Sequence, residues 1–180
     1  MGERDLALEK LLVNVDGSAE GNPGEAAIGV VITDRQGNVM QEISESIGRA
    51  TNNIAEYKAL ITACKAALEY RPREVIFFTD SQLVANQING LYRIRQPNLE
   101  KLNSDALALL RQFPVWQVRY VERTANWRAH KLAQQAIFNR NPSRERDLTE
   151  LIRERLEKLD EDGKRKVLEY VTRLIESQER

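Results

Sequence analysis

Cysteine is almost absent from this chain, since Cys64 is the only one among 180 residues. A single cysteine excludes an internal disulfide and is typical of proteins from reducing compartments. The sequence also lacks any apolar run near the roughly 20 residues that a membrane-spanning helix needs. Its first ten residues, MGERDLALEK, are too charged for the core of a signal peptide. We therefore expect a cytoplasmic protein that does not associate with a membrane.

Net charge is lacking as well, because 27 basic residues balance 27 acidic ones. A neutral chain has no general attraction for nucleic acid, so such a partner would require a local patch of basic residues. Hydrophobic residues make up 42% of the chain and charged residues 30%, which is ordinary for a globular protein. The length fits one domain of usual size with a short appendage.

The most informative stretch is residues 13–24, VNVDGSAEGNPG. Its alternating valines predict a strand whose other face carries Asn14 and Asp16. The glycines and Pro23 predict a close turn, which would leave Asp16 at the tip of the strand beside open backbone N–H groups. A carboxylate in that position suits a metal ion or a phosphate. A lone Asp-Gly-Ser sequence is explained more simply as a solvated turn.

Four further strands are predicted from apolar or alternating runs. Residues 26–33 and 39–47 are separated by a short turn, so they extend the first strand into an antiparallel meander. Residues 74–79, EVIFFT, form a nearly continuous apolar run, typical of a strand buried on both faces of a parallel sheet. The last strand is predicted over residues 115–122.

Helices are predicted between and after these strands. Thr51 precedes an apolar stripe at helical spacing, and Glu56 lies at the edge of this stripe, partly buried. Asp80 directly follows the buried strand, at the carboxyl edge of the sheet where open α/β sheets bind their ligands. Asn98 and Asn126 are predicted to cap two further helices. The resulting order, βββαβαβα with one more helix, predicts an α/β domain.

Each acidic residue also has a purely structural explanation. A glutamate in the first turn of a helix is favoured by the helix dipole, and this is the simpler account of Glu56 taken alone. Asp80 or Ser81 would cap the helix that follows. Capping and metal binding are compatible, so the structural explanation does not remove the functional one.

Four separated motifs are more specific than any single residue. They read VDGSAEGNPG, TNNIAEYKALI, FFTDSQLVANQING and ANWRAHKLAQQA. In order and spacing they resemble the motifs of type 1 ribonuclease H, over residues 11–139. The resemblance implies a five-stranded mixed sheet, with its first three strands antiparallel and with flanking helices. It also implies an endonuclease that hydrolyses the RNA strand of RNA–DNA hybrids with two divalent metal ions, leaving 5′-phosphate and 3′-hydroxyl ends.

The resemblance assigns catalytic and metal-binding roles to Asp16, Glu56 and Asp80. At the fourth ligand position most members of the family have an aspartate, whereas this chain has His130, its only histidine. Mg²⁺ accepts nitrogen ligands poorly, so we expect Mg²⁺ or Mn²⁺ as the cofactor, with a preference for Mn²⁺. Alternatively, His130 acts on the attacking water or on product release, or takes no part in the chemistry. The other function considered is a catalytically weakened module that binds or regulates hybrids.

A second set of residues is predicted to bind the hybrid, some at family positions that read the ribose 2′-hydroxyl, the minor groove or the DNA phosphates, and the two arginines as part of a local basic groove. The set comprises Gly17, Ser18, Asn22, Thr51, Asn53, Gln82, Arg123 and Arg128. Asn22 and Thr51 are equally well explained as turn and cap residues, and some of the arginines as part of a solvated face. The short stretch 90–98 indicates a ribonuclease H of the type without a basic handle.

Beyond residue 139 the resemblance ends. Residues 1–140 are predicted to form the catalytic domain, and residues 141–180 a C-terminal helical hairpin with two amphipathic stripes separated by residues 160–163. This tail has 10 basic and 11 acidic residues, so it is not a basic arm for nucleic acid. Two short helices cannot stably bury both stripes alone, which predicts docking on the domain or, preferably, a homodimer.

Overall fold

The computed structural model describes residues 9–140, 152–153 and 155–178. The chain divides into two compact units, residues 1–140 and 141–180. In the described part of the first unit the strands are β1 (Lys10–Gly21), β2 (Gly24–Asp34), β3 (Val39–Ala50), β4 (Glu74–Thr79) and β5 (Val115–Tyr120). The helices are α1 (Asn52–Glu69), α2 (Gln82–Ile88), α3 (Pro97–Leu110) and α4 (Trp127–Arg140), and a 3₁₀ turn, Arg123–Asn126, precedes α4.

The five strands form one mixed sheet in the order β3-β2-β1-β4-β5. β1, β2 and β3 are antiparallel to one another, whereas β4 runs parallel to both β1 and β5. The predicted mixed sheet with three antiparallel first strands is therefore confirmed. The parallel pairing of β1 with β4 ends at Val15 and Thr79. Because Asp16 and Asp80 are the next residues along these strands, the topology places them side by side.

The two faces of β1 have different neighbours. Leu11, Val13 and Val15 are fully buried in the main core with residues of α1 and α3. The opposite face carries Asn14 and Asp16, whose side chains contact residues of the 3₁₀ turn and of α4. Alternation along β1 therefore separates core side chains from site side chains, as the valine pattern predicted.

β1 is longer than the sequence indicates. Its antiparallel pairing with β2 continues past Asp16 to the pair of Gly21 with Gly24. The prediction that Asp16 lies at the tip of a strand followed by a turn is therefore wrong. Only the parallel pairing with β4 ends at this point, so Asp16 lies within β1 but at the carboxyl edge of the parallel part of the sheet.

Two predicted helix caps are also corrected. α3 begins at Pro97 after Gln96, so Asn98 lies inside the first turn. A proline suits the first helical position because it has no N–H to leave unpaired. Asn126 ends the 3₁₀ turn, and its side chain bonds to the sheet instead of capping α4. Thr51 does cap α1, as predicted, with its Oγ1 accepting a hydrogen bond from Ile54 N at 3.4 Å.

Gly17, one of the glycines of the first motif, allows β1 and α1 to approach closely. A Cβ atom at this residue would lie 2.1 Å from both the carbonyl carbon of Ala55 and the backbone nitrogen of Glu56. Only glycine allows β1 to pass the first turn of α1 at this distance. The close approach brings Glu56 to the strand that carries Asp16.

Replacing Gly17 with alanine should therefore destabilise the domain by about 3 kcal/mol, because the opposing atoms belong to the backbone and cannot rotate away. The free energy of unfolding in urea measures the effect. Gly37→Ala is the matched control, since a Cβ there meets nothing within 4 Å and only its φ of 88° is unfavourable. That control should cost about 1 kcal/mol. Equal losses in the two variants would show that the approach of β1 to α1 does not require glycine.

The second unit contains α5 (Glu161–Gln178), and residues 152–153 and 155–157 are helical. α5 begins earlier than predicted, because Asp160 Oδ1 accepts a hydrogen bond from Gly163 N at 2.8 Å and caps the helix. The predicted linker at residues 141–143 lies outside the described residues. Among the helices that the structure describes, none is long and apolar enough to cross a membrane.

Candidate active site

Three acidic side chains converge at the carboxyl edge of β1 and β4. Asp16 lies on β1, Glu56 near the start of α1, and Asp80 directly after β4. One oxygen from each carboxylate lies within 4.8 Å of the other two. Asp16 is fully buried and Glu56 is only 4% exposed, so little water reaches these groups. Carboxylates this close repel one another unless protons or a cation neutralise them.

The pKa values follow from this environment. Burial, followed by the charge of Asp80, raises the pKa of Asp16 from 3.8 to about 6, although His130 opposes the shift. Burial also raises the pKa of Glu56 well above its usual value, and the charges of Asp16 and Asp80 add to the effect. For Asp80, burial is outweighed by hydrogen bonds, first of all from Asn126, so its pKa is lowered. In the protein without metal, Asp16 and Glu56 therefore lose their protons at a higher pH than ordinary carboxyl groups do.

The arrangement fits a divalent metal ion. Asp16 Oδ1 is buried and has no hydrogen-bond partner among the residues that the structure describes. A buried polar atom without a partner is unfavourable, and a cation would provide one. Three carboxylates form the oxygen-rich donor set that Mg²⁺ and Mn²⁺ prefer. Glu56 is held in place by its Oε2, which accepts a hydrogen bond from Gly17 N at 3.0 Å.

His130 reaches the same site from α4. Its Nδ1 lies 3.1 Å from Oδ2 of Asp16, and the unpaired oxygen of the same carboxylate is Oδ1. The structure thus places His130 beside the predicted metal ligands. Among the described residues, however, the ligand atoms that lie within 4.8 Å of one another belong to the three carboxylates. In this geometry the imidazole contacts Asp16 and is not part of that group of ligand atoms.

Asn126 is a site residue that sequence analysis missed. Its Nδ2 donates to Asp80 Oδ1 at 2.9 Å and to the carbonyl oxygen of Val15 at 2.8 Å. At the other end of the 3₁₀ turn, Arg123 Nε donates to Asp80 Oδ2 at 3.0 Å. Both oxygens of Asp80 are therefore held by one turn. Asparagine is so common at helix starts that only its place inside the fourth motif distinguished Asn126 from an ordinary cap.

Five of the eight predicted substrate-binding residues lie on β1, in the turn that follows it, or at the start of α1 or α2. Gly17 and Ser18 follow Asp16 on β1, and Gln82 is exposed at the start of α2, two residues after Asp80. Asn22 and Thr51 make the turn and cap contacts that their structural explanation requires. Asn22 Oδ1 accepts from Asn52 N at 3.4 Å, and Thr51 caps α1.

The other three predicted substrate-binding residues have different surroundings. Asn53 lies half-buried in the first turn of α1, next to the Asn52 that Asn22 contacts. Arg123 contacts Asp80, as described above. Arg128, on α4, has its Nε 2.6 Å from Oε1 of Glu42 on β3, so part of its charge is compensated within the protein. Arg123 is therefore the basic side chain of this set that lies in the carboxylate site.

Known proteins share this sequence pattern and fold. The chain matches the family described as reverse transcriptase-like over residues 14–136, and it belongs to that family through a ribonuclease H-like domain. It is 41% identical over 122 residues to "Ribonuclease HI" of Halobacterium salinarum, which covers 68% of this chain and 61% of that relative. The chain thus spans less than two thirds of that relative's length.

Solved structures agree with this assignment. The crystal structure of RNase H1 from Halobacterium salinarum superposes with a TM-score of 0.71 at 38% identity, covering 72% of this chain and 98% of that one. LC11-RNase H1, solved in complex with an RNA/DNA hybrid, gives a TM-score of 0.68 at 36% identity, with 72% and 97% covered. The predicted resemblance to ribonuclease H is therefore confirmed.

Proposed function

We propose that this protein is an endonuclease that hydrolyses the RNA strand of RNA–DNA hybrids and leaves 5′-phosphate and 3′-hydroxyl ends. The observation that carries the proposal is the convergence of Asp16, Glu56 and Asp80 on a ribonuclease H-like sheet, with a buried oxygen of Asp16 left unpaired. The hybrid bound to LC11-RNase H1 supports the choice of substrate. Two divalent metal ions, Mg²⁺ or Mn²⁺, held by these carboxylates would activate water and shield the phosphate charge.

The residues of this chain supply the framework for that chemistry. Asp16 presents Oδ1 while His130 holds Oδ2, and Glu56 is held by the backbone of Gly17. Asp80 is held through both oxygens by Asn126 and Arg123. We assign His130 as the fourth metal ligand, with orientation of Asp16 as the alternative role. Contacts to the hybrid are proposed for Gly17, Ser18, Asn22, Thr51, Asn53, Gln82, Arg123 and Arg128.

A cleavage assay on an RNA–DNA hybrid labelled on the RNA strand tests the proposal. We expect cleavage of the hybrid at internal positions, and none of single-stranded RNA, double-stranded RNA or double-stranded DNA of the same sequence. Mg²⁺ and Mn²⁺ are tested separately, and the nitrogen of His130 favours the higher rate with Mn²⁺. End analysis of the fragments identifies the phosphate and hydroxyl termini.

The second candidate function is a module that binds or regulates hybrids with little cleavage. His130 in place of a carboxylate favours it, because the site then holds one negative charge fewer for two dications. Tight binding of the hybrid without cleavage in either metal would support this function over the endonuclease. Absence of both binding and cleavage would contradict both functions.

We also propose that residues 1–140 act as the catalytic domain and that residues 141–180 form a unit for homodimerisation. Leu168, Val171 and Ile175 are exposed along one side of α5 at the spacing of a helix–helix contact. The charges of α5 are largely paired within the helix, in Glu161–Lys164, Asp162–Lys166 and Glu169–Arg173. The apolar stripe is therefore the surface that remains for association.

Ending the chain after Asn141 should leave a folded domain, since the core described above lies entirely before that residue. The shortened protein should be monomeric by light scattering, whereas the full chain should be a dimer at the same concentration. Leu168→Glu in the full chain is the point-variant control and should also give a monomer. A monomeric full-length protein would exclude homodimerisation through α5.

A further inference from the structure

Asn14 lies two residues before Asp16 on β1 and on the same face of the sheet. Its Nδ2 donates a hydrogen bond to Oδ1 of Asn126 at 3.0 Å. Asn126 is only 1% exposed, so water does not reach this acceptor freely. Asn14 therefore satisfies a buried oxygen that would otherwise be unpaired, which is costly in a protein interior. The hydrogen bonds described for Asp16, Glu56 and Asp80 come from other residues, so Asn14 acts on the site only through Asn126.

The surroundings of Asn126 permit one orientation of its amide. The carbonyl oxygen of Val15 only accepts, so the group 2.8 Å away must be Nδ2. The second Nδ2 hydrogen is then available to Asp80 Oδ1 at 2.9 Å. Turning the amide by half a rotation would set Oδ1 against these two acceptors and Nδ2 against the donor of Asn14. The two acceptors thus fix the orientation of the Asn126 amide, and Asn14 supplies the donor that its Oδ1 then requires.

The contact also fixes the 3₁₀ turn to the sheet. Asn126 and Arg123, at its two ends, hold the two oxygens of Asp80. Repulsion from the neighbouring Asp16 works against this placement of Asp80, because the two carboxylates lie within 4.8 Å. Hydrogen bonds from the turn must therefore hold Asp80 in place against this repulsion. The turn itself is held on β1, the strand that carries Asp16, by the hydrogen bonds of Asn126 with Asn14 and Val15.

We propose that Asn14 is a positioning residue that anchors Asn126, and with it the 3₁₀ turn, so that Asp80 stays beside Asp16 and Glu56. The hydrogen bonds that carry the proposal lie within the protein, and only the expected effect on cleavage rests on the proposed function. An outer partner of this kind acts on metal binding through the ligand that it orients.

Asn14→Leu tests the proposal, because leucine has the same branching and similar size but no donor. In the metal-free protein, hydrogen exchange of the Asn126 side-chain amide, followed by NMR, should become about tenfold faster or more. Mn²⁺ affinity, measured by electron paramagnetic resonance of the free ion, should fall about tenfold. With hybrid as substrate, kcat should fall while KM changes little, since Asn14 is not among the proposed hybrid contacts.

Asn103→Leu is the matched control. It removes another buried amide donor, which bonds to the hydroxyl of Tyr57 at 3.1 Å between α3 and α1. This variant should lower the unfolding temperature and leave Mn²⁺ affinity and the Asn126 amide unchanged. A structural role for Asn14 alone would make the two variants behave alike.

The proposal is overturned if folded Asn14→Leu keeps both the exchange rate of the Asn126 amide and the Mn²⁺ affinity of the wild type. Equal loss of Mn²⁺ affinity in Asn103→Leu would overturn it as well. If Asn14→Leu does not fold, the same two measurements on Asn14→Ser test the proposal, since the short serine side chain does not reach Asn126. Failure of the wild-type protein to cleave hybrids would contradict the proposed function without changing either measurement.

Discussion

Asp16→Asn should abolish cleavage of RNA–DNA hybrids. In the absence of metal, the same variant should be more stable than the wild type. The loss of activity follows from the position of Asp16, whose carboxylate has an oxygen within 4.8 Å of the other two carboxylates and whose buried Oδ1 has no hydrogen-bond partner among the described residues. An amide provides a weaker metal ligand and no charge, so the proposed metal site would lose one of its charged ligands. Loss of cleavage with retained folding is the expected result in the hybrid assay.

The gain in stability follows from the raised pKa of Asp16. The pKa is 3.8 for the ordinary group and about 6 in the folded protein. Below pH 3.8 both states are protonated and the residue has no effect on stability. Between these values the folded state holds the proton more tightly, so the free energy of unfolding falls as the pH rises. Above pH 6 the whole penalty, on the order of 2–3 kcal/mol, is present, and asparagine removes it.

Thermal unfolding in EDTA between pH 4 and pH 8 measures this effect. The variant should unfold at a higher temperature than the wild type at pH 7.5, and the difference should shrink towards pH 4. Added Mn²⁺ should stabilise the wild type far more than the variant. Asp34→Asn is a control of opposite sign, since hydrogen bonds from Asn38 lower the pKa of that exposed carboxylate. If Asp16→Asn were less stable than the wild type at pH 7.5, the buried charge of Asp16 would not destabilise the metal-free protein, and this explanation of its raised pKa would be contradicted.

The individual strands were predictable because they depend on local patterns, such as the alternation along β1 and the apolar run of β4. The parallel pairing that places Asp16 beside Asp80 joins segments distant in sequence, so the convergence of the two aspartates was expected only from the resemblance. Glu56 required the resemblance as well, since periodicity alone makes it an ordinary residue of the first helical turn. The close approach at Gly17 then explains why this helix delivers its glutamate to the site.

The length of β1 and the role of Asn126 were not predictable from local patterns. β1 continues through glycines that normally indicate a turn, because β2 provides a full row of antiparallel partners as far as Gly24. Asn126 bonds to Asn14 across 112 residues of sequence, and no local rule distinguishes such an asparagine from a helix cap. Both errors concern contacts between segments that are distant in sequence, where tertiary pairing overrides local preference.

His130→Asp should tighten Mg²⁺ binding and reduce the preference for Mn²⁺. In the structure the imidazole Nδ1 lies 3.1 Å from Oδ2 of Asp16, so a carboxylate at residue 130 would add a fourth negative charge to the site. It would also replace a nitrogen with the hard oxygen that Mg²⁺ prefers. We expect a gain in Mg²⁺ affinity of about tenfold, equivalent to about 1.4 kcal/mol of added attraction. Isothermal titration with Mg²⁺ and Mn²⁺ measures the affinities, and the hybrid assay measures the corresponding rates.

The same substitution should destabilise the metal-free protein, because the new carboxylate faces Asp16 without a cation between them. His130→Asn separates the two roles of the histidine, since its amide can still donate to Asp16 Oδ2 but is a poorer metal ligand. If His130 only orients Asp16, His130→Asn should retain most activity and His130→Ala should lose it. If His130 binds metal, both variants should lose Mn²⁺ affinity. Unchanged affinity and rate in His130→Asp and His130→Ala alike would exclude His130 from the chemistry.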